Sequence, residues 1–190
     1  MKMVIGAVTE DPAKPSGPGS APLGFMQSRL DPRKVSPAAY QAMLGLEAFV
    51  RKSWKLEPLL IELVKMRASQ INGCAYCLDM HSKDARAAGE TEQRLYTLNA
   101  WKETPFFTDR ERAALAWTEA VTLVSEDHVP DAVYEEARRS FSEEELVNLT
   151  MAVVAINGWN RLMVAFRGMP GEYQPAVRRP EGAKAEGEKV

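Results

Sequence analysis

An all-α fold of six or seven helices is predicted for this chain by three observations. Apolar residues recur at helical spacing almost throughout the stretch from about residue 23 to residue 170. The periodic runs open on helix-capping residues. No run alternates apolar and polar residues between turn signals, as a half-buried strand would. With 190 residues, 45% of them hydrophobic and 26% charged, one domain can bury an ordinary core without a disulfide or metal staple.

Residues 1–22, which include EDPAKPSGPGSAP, read as a flexible Pro/Gly-rich arm ahead of a single helical domain at 23–170. In SPAAYQAMLGLEAFV, Ser36 is the expected N-cap, and Pro37 takes the first helical position, where no backbone N–H is needed. In EPLLIELVKMRASQI, Leu60, Leu63, Val64, Ala68 and Ile71 share one face, while Glu62, Lys65 and Ser69 lie on another. Asn72-Gly73 ends that helix, because glycine suits the left-handed position just past a helix end. Shorter helices are expected at about 75–88, 92–101 and 131–140. Thr108 with Glu111, and Ser142 with Glu145, have the spacing of capping boxes and open two longer helices.

The last of these, at about 143–167, puts Leu146, Leu149, Val153, Ile156, Leu162 and Phe166 on one side. Val154, Trp159, Met163 and Ala165 widen the stripe. A helix apolar nearly all round must be buried on most faces, and a subunit interface is expected to cover the excess. Asn157 and Asn160 are expected to form buried hydrogen bonds across that interface, with Trp159 either packed there or walling a substrate pocket. ELVKMRASQING at 62–73 faintly echoes ELVNLTMAVVAING at 145–158, which suggests two similar helical hairpins. Residues 171–190 offer almost nothing to bury and are expected to form a disordered tail.

A net charge of −2 and a pI near 5.8 argue against a nucleic-acid partner. MKMVIGAVTEDP holds no apolar run of signal-peptide length, and LTMAVVAINGWNRLMVAF is interrupted by asparagine, glycine and arginine. Neither export nor a membrane span is expected, and the cytoplasm is the default. In that reducing compartment a close cysteine pair is catalytic or metal-binding rather than structural.

The stretch INGCAYCLDMH, 71–81, holds both cysteines and one of the two histidines. Cys74 falls at the start of a helix and Cys77 in its first turn, where the dipole and free N–H groups favour the thiolate. His81 follows Cys77 by four residues and Cys74 by seven, so all three project from one face. The imidazole can therefore take or return a thiol proton. In a hairpin bent at Gly73, Glu62 stands roughly 15 Å up one arm and His81 roughly 10 Å up the other, within a turn of each other. The plainer reading of Glu62 is a solvated charge beside Lys65 and Arg67. Helix position alone favours Cys74 as the more exposed and attacking thiol. Zinc is a competing reading, with Cys74, Cys77, His81 and His128 as four ligands. His128 stands far away before Val129-Pro130 without a second knuckle, so no metal site is expected. No Gly-rich dinucleotide fingerprint is present, and no bound cofactor is expected.

Glu62, eleven residues, Cys74-Ala75-Tyr76-Cys77, three residues and His81 reproduce the E-x11-C-x-x-C-x-x-x-H pattern of AhpD-like alkylhydroperoxidases, in the carboxymuconolactone decarboxylase superfamily. AINGWNRL at 155–162 resembles the second helical hairpin of that family, and the likeness covers about residues 35–168. The resemblance implies an AhpD-like helical fold, a homo-oligomer (trimer or hexamer) and thiol peroxidase chemistry. It makes Cys77 the attacking thiolate, Cys74 the resolving thiol, and Glu62 with His81 a proton relay. The substrate would be a small hydroperoxide, and the reductant an external dithiol, lipoyl or thioredoxin-like, supplied by a partner protein. The more exposed Cys74 would meet that partner. Well-known members carry a histidine just before the second cysteine; Tyr76 stands there instead, which removes one proton route of the pattern. Two alternatives keep the fold: a thiol–disulfide oxidoreductase or redox sensor, and a decarboxylase-like lactone enzyme. The latter needs no cysteine pair.

Overall fold

The computed structural model describes residues 27–52 and 55–175. The chain runs α1 (Pro32–Val35), α2 (Pro37–Lys52), α3 (Pro58–Ile71), α4 (Ala75–Ala87), α5 (Glu92–Thr97), a 3-10 helix (Leu98–Glu103), α6 (Asp109–Thr122), α7 (Val124–Asp127), α8 (Asp131–Ser140) and α9 (Glu143–Phe166). No strand occurs among the described residues. All the expected helices are present, joined by two four-residue helices, α1 and α7. The element expected at 92–101 is split at Leu98, and Ala100 leaves helical geometry at φ −116°. There Trp101 is buried, and its indole N–H donates to Glu119 Oε1 of α6 at 2.8 Å. Both predicted capping boxes form, at Thr108 with Glu111 and at Ser142 with Glu145.

Helix α3 is the axis of the fold and packs against α4, α6 and α9. Leu60, Leu63, Val64 and Ala68 are buried, as their spacing predicts. Lys65 and Ser69, expected on a polar face, are buried too. The Lys65 ammonium pairs with Glu47 of α2, and Ser69 Oγ accepts a hydrogen bond from Asn160 Nδ2 of α9 at 2.9 Å. With neighbours on every side, these polar groups find protein partners instead of water. Burial pushes the Glu47 carboxyl up, but the charges of Lys65 and Arg51 outweigh it and hold the group below its ordinary range.

Along α9, Leu146, Leu149, Val153 and Ile156 enter the core while Val147, Val154 and Val164 stay exposed. Length and composition alone would let α9 cross a bilayer. Here it serves as a core helix, with Asn148 and Asn160 buried among its apolar neighbours. Residues 155–162, which resemble the family's second hairpin, contain no bend and lie inside the uninterrupted α9. Past its end the chain folds back onto α4. Gly171 N–H donates to Asp79 Oδ2 at 2.9 Å, and Tyr173 OH donates to Asp84 Oδ1 at 2.7 Å. The start of the expected tail at 171–190 is therefore tied down, since a tyrosine and backbone groups supply the contacts that composition does not reveal. The expected arm at 1–22 and residues 176–190 lie outside the described residues.

Candidate active site at the start of α4

Gly73, at φ 64°, turns the chain out of α3 and delivers Cys74 as the N-cap of α4. Cys74 Sγ accepts a hydrogen bond from the Cys77 N–H at 3.4 Å. The two cysteines are joined as a disulfide, their Cα atoms 5.4 Å apart. Residues three apart in a first helical turn stand at about this separation, so the bond closes without rearrangement of the backbone. Cys74 is 1% exposed and Cys77 3%, both packed against Ala68 of α3 and Ile156 of α9. Cys74 is thus not the exposed thiol that helix position suggests, because α3 and α9 close over the N-terminus of α4. What separates the two cysteines is that Cys77, rather than Cys74, lines the cavity it shares with His81.

The bend is held by an amide ladder. Asn72 Nδ2 donates to Asn157 Oδ1 at 3.0 Å and to Asn160 Oδ1 at 2.9 Å, and Asn160 in turn donates to Ser69. These bonds lie within one chain, so Asn157 and Asn160 find hydrogen-bond partners without a subunit interface.

His81, 5% exposed, sits one turn beyond Cys77 with its Nδ1 2.8 Å from Glu62 Oε2. The hairpin brings the two to one height, and Glu62 is half-buried rather than solvated. With Nδ1 engaged, Nε2 is the nitrogen left for proton exchange. Asp84 joins this pair unforeseen: polar atoms of Glu62, His81 and Asp84 all lie within 4.8 Å of one another. Its signal in the sequence is the spacing of Cys77, His81 and Asp84, i, i+4 and i+7 on one helical face. Two carboxylates and an imidazole could hold a cation, yet Glu62 is engaged by His81 and Asp84 by Tyr173. The four-ligand set with His128 is not assembled; that histidine is exposed at the end of α7.

The cavity that Cys77 and His81 line has a volume of about 110 Å³. Leu44, Met80, Trp159 and Met163 give it apolar walls, and Glu47 and Arg51 supply its charge. Trp159 therefore takes the pocket-wall role. Tyr40, Tyr76 and Met163 also line a larger cavity of about 550 Å³ and so divide the two. Tyr76, where the resembled pattern has a histidine, is a wall shared by the two cavities. Tyr40 meets the Trp159 ring edge-on with centroids 5.1 Å apart. Burial, and then Tyr76, raise the Tyr40 phenol above its ordinary value, which keeps it a neutral donor.

Residues 37–120 match the model of the Carboxymuconolactone decarboxylase family. The chain is 41% identical over 140 residues to the uncharacterized protein YdfG of Bacillus subtilis (strain 168), a match spanning 74% of this chain and 95% of that one. It is 30% identical over 132 residues to the uncharacterized protein YnjA of Escherichia coli (strain K12), spanning 69% and 70% of the two chains. Among solved structures, an Agrobacterium tumefaciens protein of unknown function, a candidate antioxidant defence protein AhpD, superposes with a TM-score of 0.75 at 45% identity. That match covers 76% of this chain and 99% of the other.

Proposed function

The chain belongs to the carboxymuconolactone decarboxylase family, and on that premise we propose that it is a thiol-dependent hydroperoxide reductase working through Cys77 and Cys74. One observation carries the proposal: Cys77 shares a cavity with His81, whose other face is held by Glu62, while Cys74 stands at disulfide distance behind it. His81 takes the thiol proton of Cys77, and the thiolate attacks an oxygen of ROOH. The O–O bond breaks, Cys77 becomes a sulfenic acid, and the proton held by His81 passes to the leaving alkoxide to give ROH. Cys74 then attacks the Cys77 sulfur, forming the disulfide and releasing water. An external dithiol reduces that bond by two exchanges and is itself oxidised to a disulfide.

The burial of both sulfurs and the small volume of the cavity favour a slender reductant, such as a lipoyl arm, over a folded thioredoxin surface. The exposed side chains Val147, Val154 and Val164 of α9, with Leu44 and Phe49 of α2, support a homo-oligomer, for which the family resemblance implies a trimer or hexamer. Light scattering that gave a monomer near 21.1 kDa at micromolar concentration would contradict it. The deciding experiment feeds the reduced protein an alkyl hydroperoxide with dihydrolipoamide or a thioredoxin as donor. Consumption should depend on the dithiol and leave a Cys74–Cys77 disulfide in mass spectra. A rate no higher than that of Cys77→Ser would overturn the reading.

A further inference from the structure

The strap that follows α9 runs along the outer face of α4. Arg167 takes φ 54° and Gly171 φ 109°, which turn the chain back on itself. Lys83 Nζ donates to the carbonyls of Gly171 at 3.3 Å and Tyr173 at 3.0 Å, and Gly171 N–H donates to Asp79. These anchors place the Tyr173 hydroxyl on Asp84 Oδ1 at 2.7 Å, while the residue also lines the larger cavity. Asp84 lies three residues after His81, with its carboxylate beside both His81 and Glu62. One residue of the strap thus reaches from the outer cavity to the carboxylate at the relay.

We propose that Asp84 is a second positioning carboxylate of the relay, held in place by the Tyr173 hydroxyl, and that its charge favours transfer of the Cys77 proton to His81. The inference rests on the peroxidase reading for its purpose, but not for its geometry. Glu62 approaches His81 from α3 and binds Nδ1; Asp84 approaches from α4 and makes no hydrogen bond to the ring, so its influence is that of charge. The other charged groups near the cluster are Arg51 from α2, whose field acts on Glu62 and Asp84; Glu47, which lines the cavity with His81 and is paired with Arg51 and Lys65; and Lys83, which is occupied by Asp79 and the strap. Burial, and then the bond to Asp84, push the Tyr173 phenol far above its ordinary value. It therefore stays a donor across the working range of pH.

The test uses the full-length reduced protein and two readouts, the pH dependence of iodoacetamide reaction at Cys77 and the turnover of an alkyl hydroperoxide. Asp84→Asn keeps an acceptor for Tyr173 and removes the charge. It should move the alkylation profile to higher pH by about one unit and lower kcat with KM unchanged. Tyr173→Phe keeps the cavity wall and loses the donor, so kcat should fall severalfold without a rise in KM; Tyr173→Ala should raise KM as well. An Asp84→Asn protein with wild-type alkylation profile and kcat overturns the inference and leaves the strap a structural tie. If Asp84→Asn does not fold, Tyr173→Phe decides by the same kcat-against-KM split. A shifted alkylation profile in a protein that consumes no peroxide would sink the peroxidase reading alone.

Discussion

The tripeptide Ile-Asn-Gly occurs at 71–73 and again at 156–158, and the fold uses the two copies in opposite ways. In the first, Gly73 adopts φ 64°, with nothing within 4 Å of where a Cβ would stand; α3 stops and Cys74 caps α4. In the second, Gly158 stays helical within α9, and Met43 Cε of α2 comes within 2.8 Å of the place a Cβ would occupy. The two copies touch, since Asn72 donates to Asn157 at 3.0 Å. A glycine alone therefore does not stop a helix. What differs is the next residue: the Cys74 sulfur accepts an amide hydrogen bond, whereas the Trp159 indole can only donate and packs on Tyr40 instead. One copy builds the cysteine-bearing end of a helix, and the other braces it.

That division predicts where damage should fall. Cys77→Ser, in the reactive region, should lower peroxide turnover by on the order of 10⁴-fold or more. Cys74→Ser should react once and stall, with a dimedone adduct on Cys77 found by mass spectrometry. An adduct on Cys74 in the Cys77→Ser protein instead would reverse the roles of the two sulfurs. Next in size, His81→Gln or Glu62→Gln should slow peroxide reduction by about 10²-fold while oxidation remains on Cys77, checked by the same trapping.

Stability effects are smaller and sharpen the contrast between the copies. Asn72→Ala removes the donor that ties the bend to both Asn157 and Asn160, and should destabilise by about 1–3 kcal/mol in urea unfolding. Gly73→Ala forces a side chain into a left-handed position and should cost about 1–2 kcal/mol. Gly158→Ala should change stability by no more than about 1 kcal/mol: a helix-propensity gain is offset by displacement of the flexible Met43 end. Thermal melts in which Gly158→Ala is the more damaged of the two would break the comparison.

The grouping of Cys74, Cys77, His81 and Glu62 could be read from the chain because their spatial relation is set by helix rise and by one bend. Residues at i, i+4 and i+7 share a face whatever surrounds them, and two arms leaving Gly73 bring Glu62 level with His81. The same logic held Asp84, at i+7 from Cys77, but a carboxylate at that spacing stands out only when α3 and the strap are seen to converge on it. Lys65 and Ser69 misled for the opposite reason. Their type says surface, and only α2 and α9, supplying Glu47 and Asn160, make their burial tolerable.

By itself, then, the sequence determined the longer helices, the capping boxes at Thr108 and Ser142, the break at Gly73 and the order of Cys74, Cys77 and His81 at the start of α4, since these follow from local periodicity and hydrogen bonding within a few residues. Tertiary structure decided which cysteine lines a cavity with His81, that Ile156-Asn157-Gly158 runs straight through, and that the chain after α9 returns to α4. Those outcomes depend on which surfaces meet across more than eighty residues of chain, as Asn72 does with Asn157 at a separation of 85. Burial and partnership are properties of such meetings, and local spacing does not contain them.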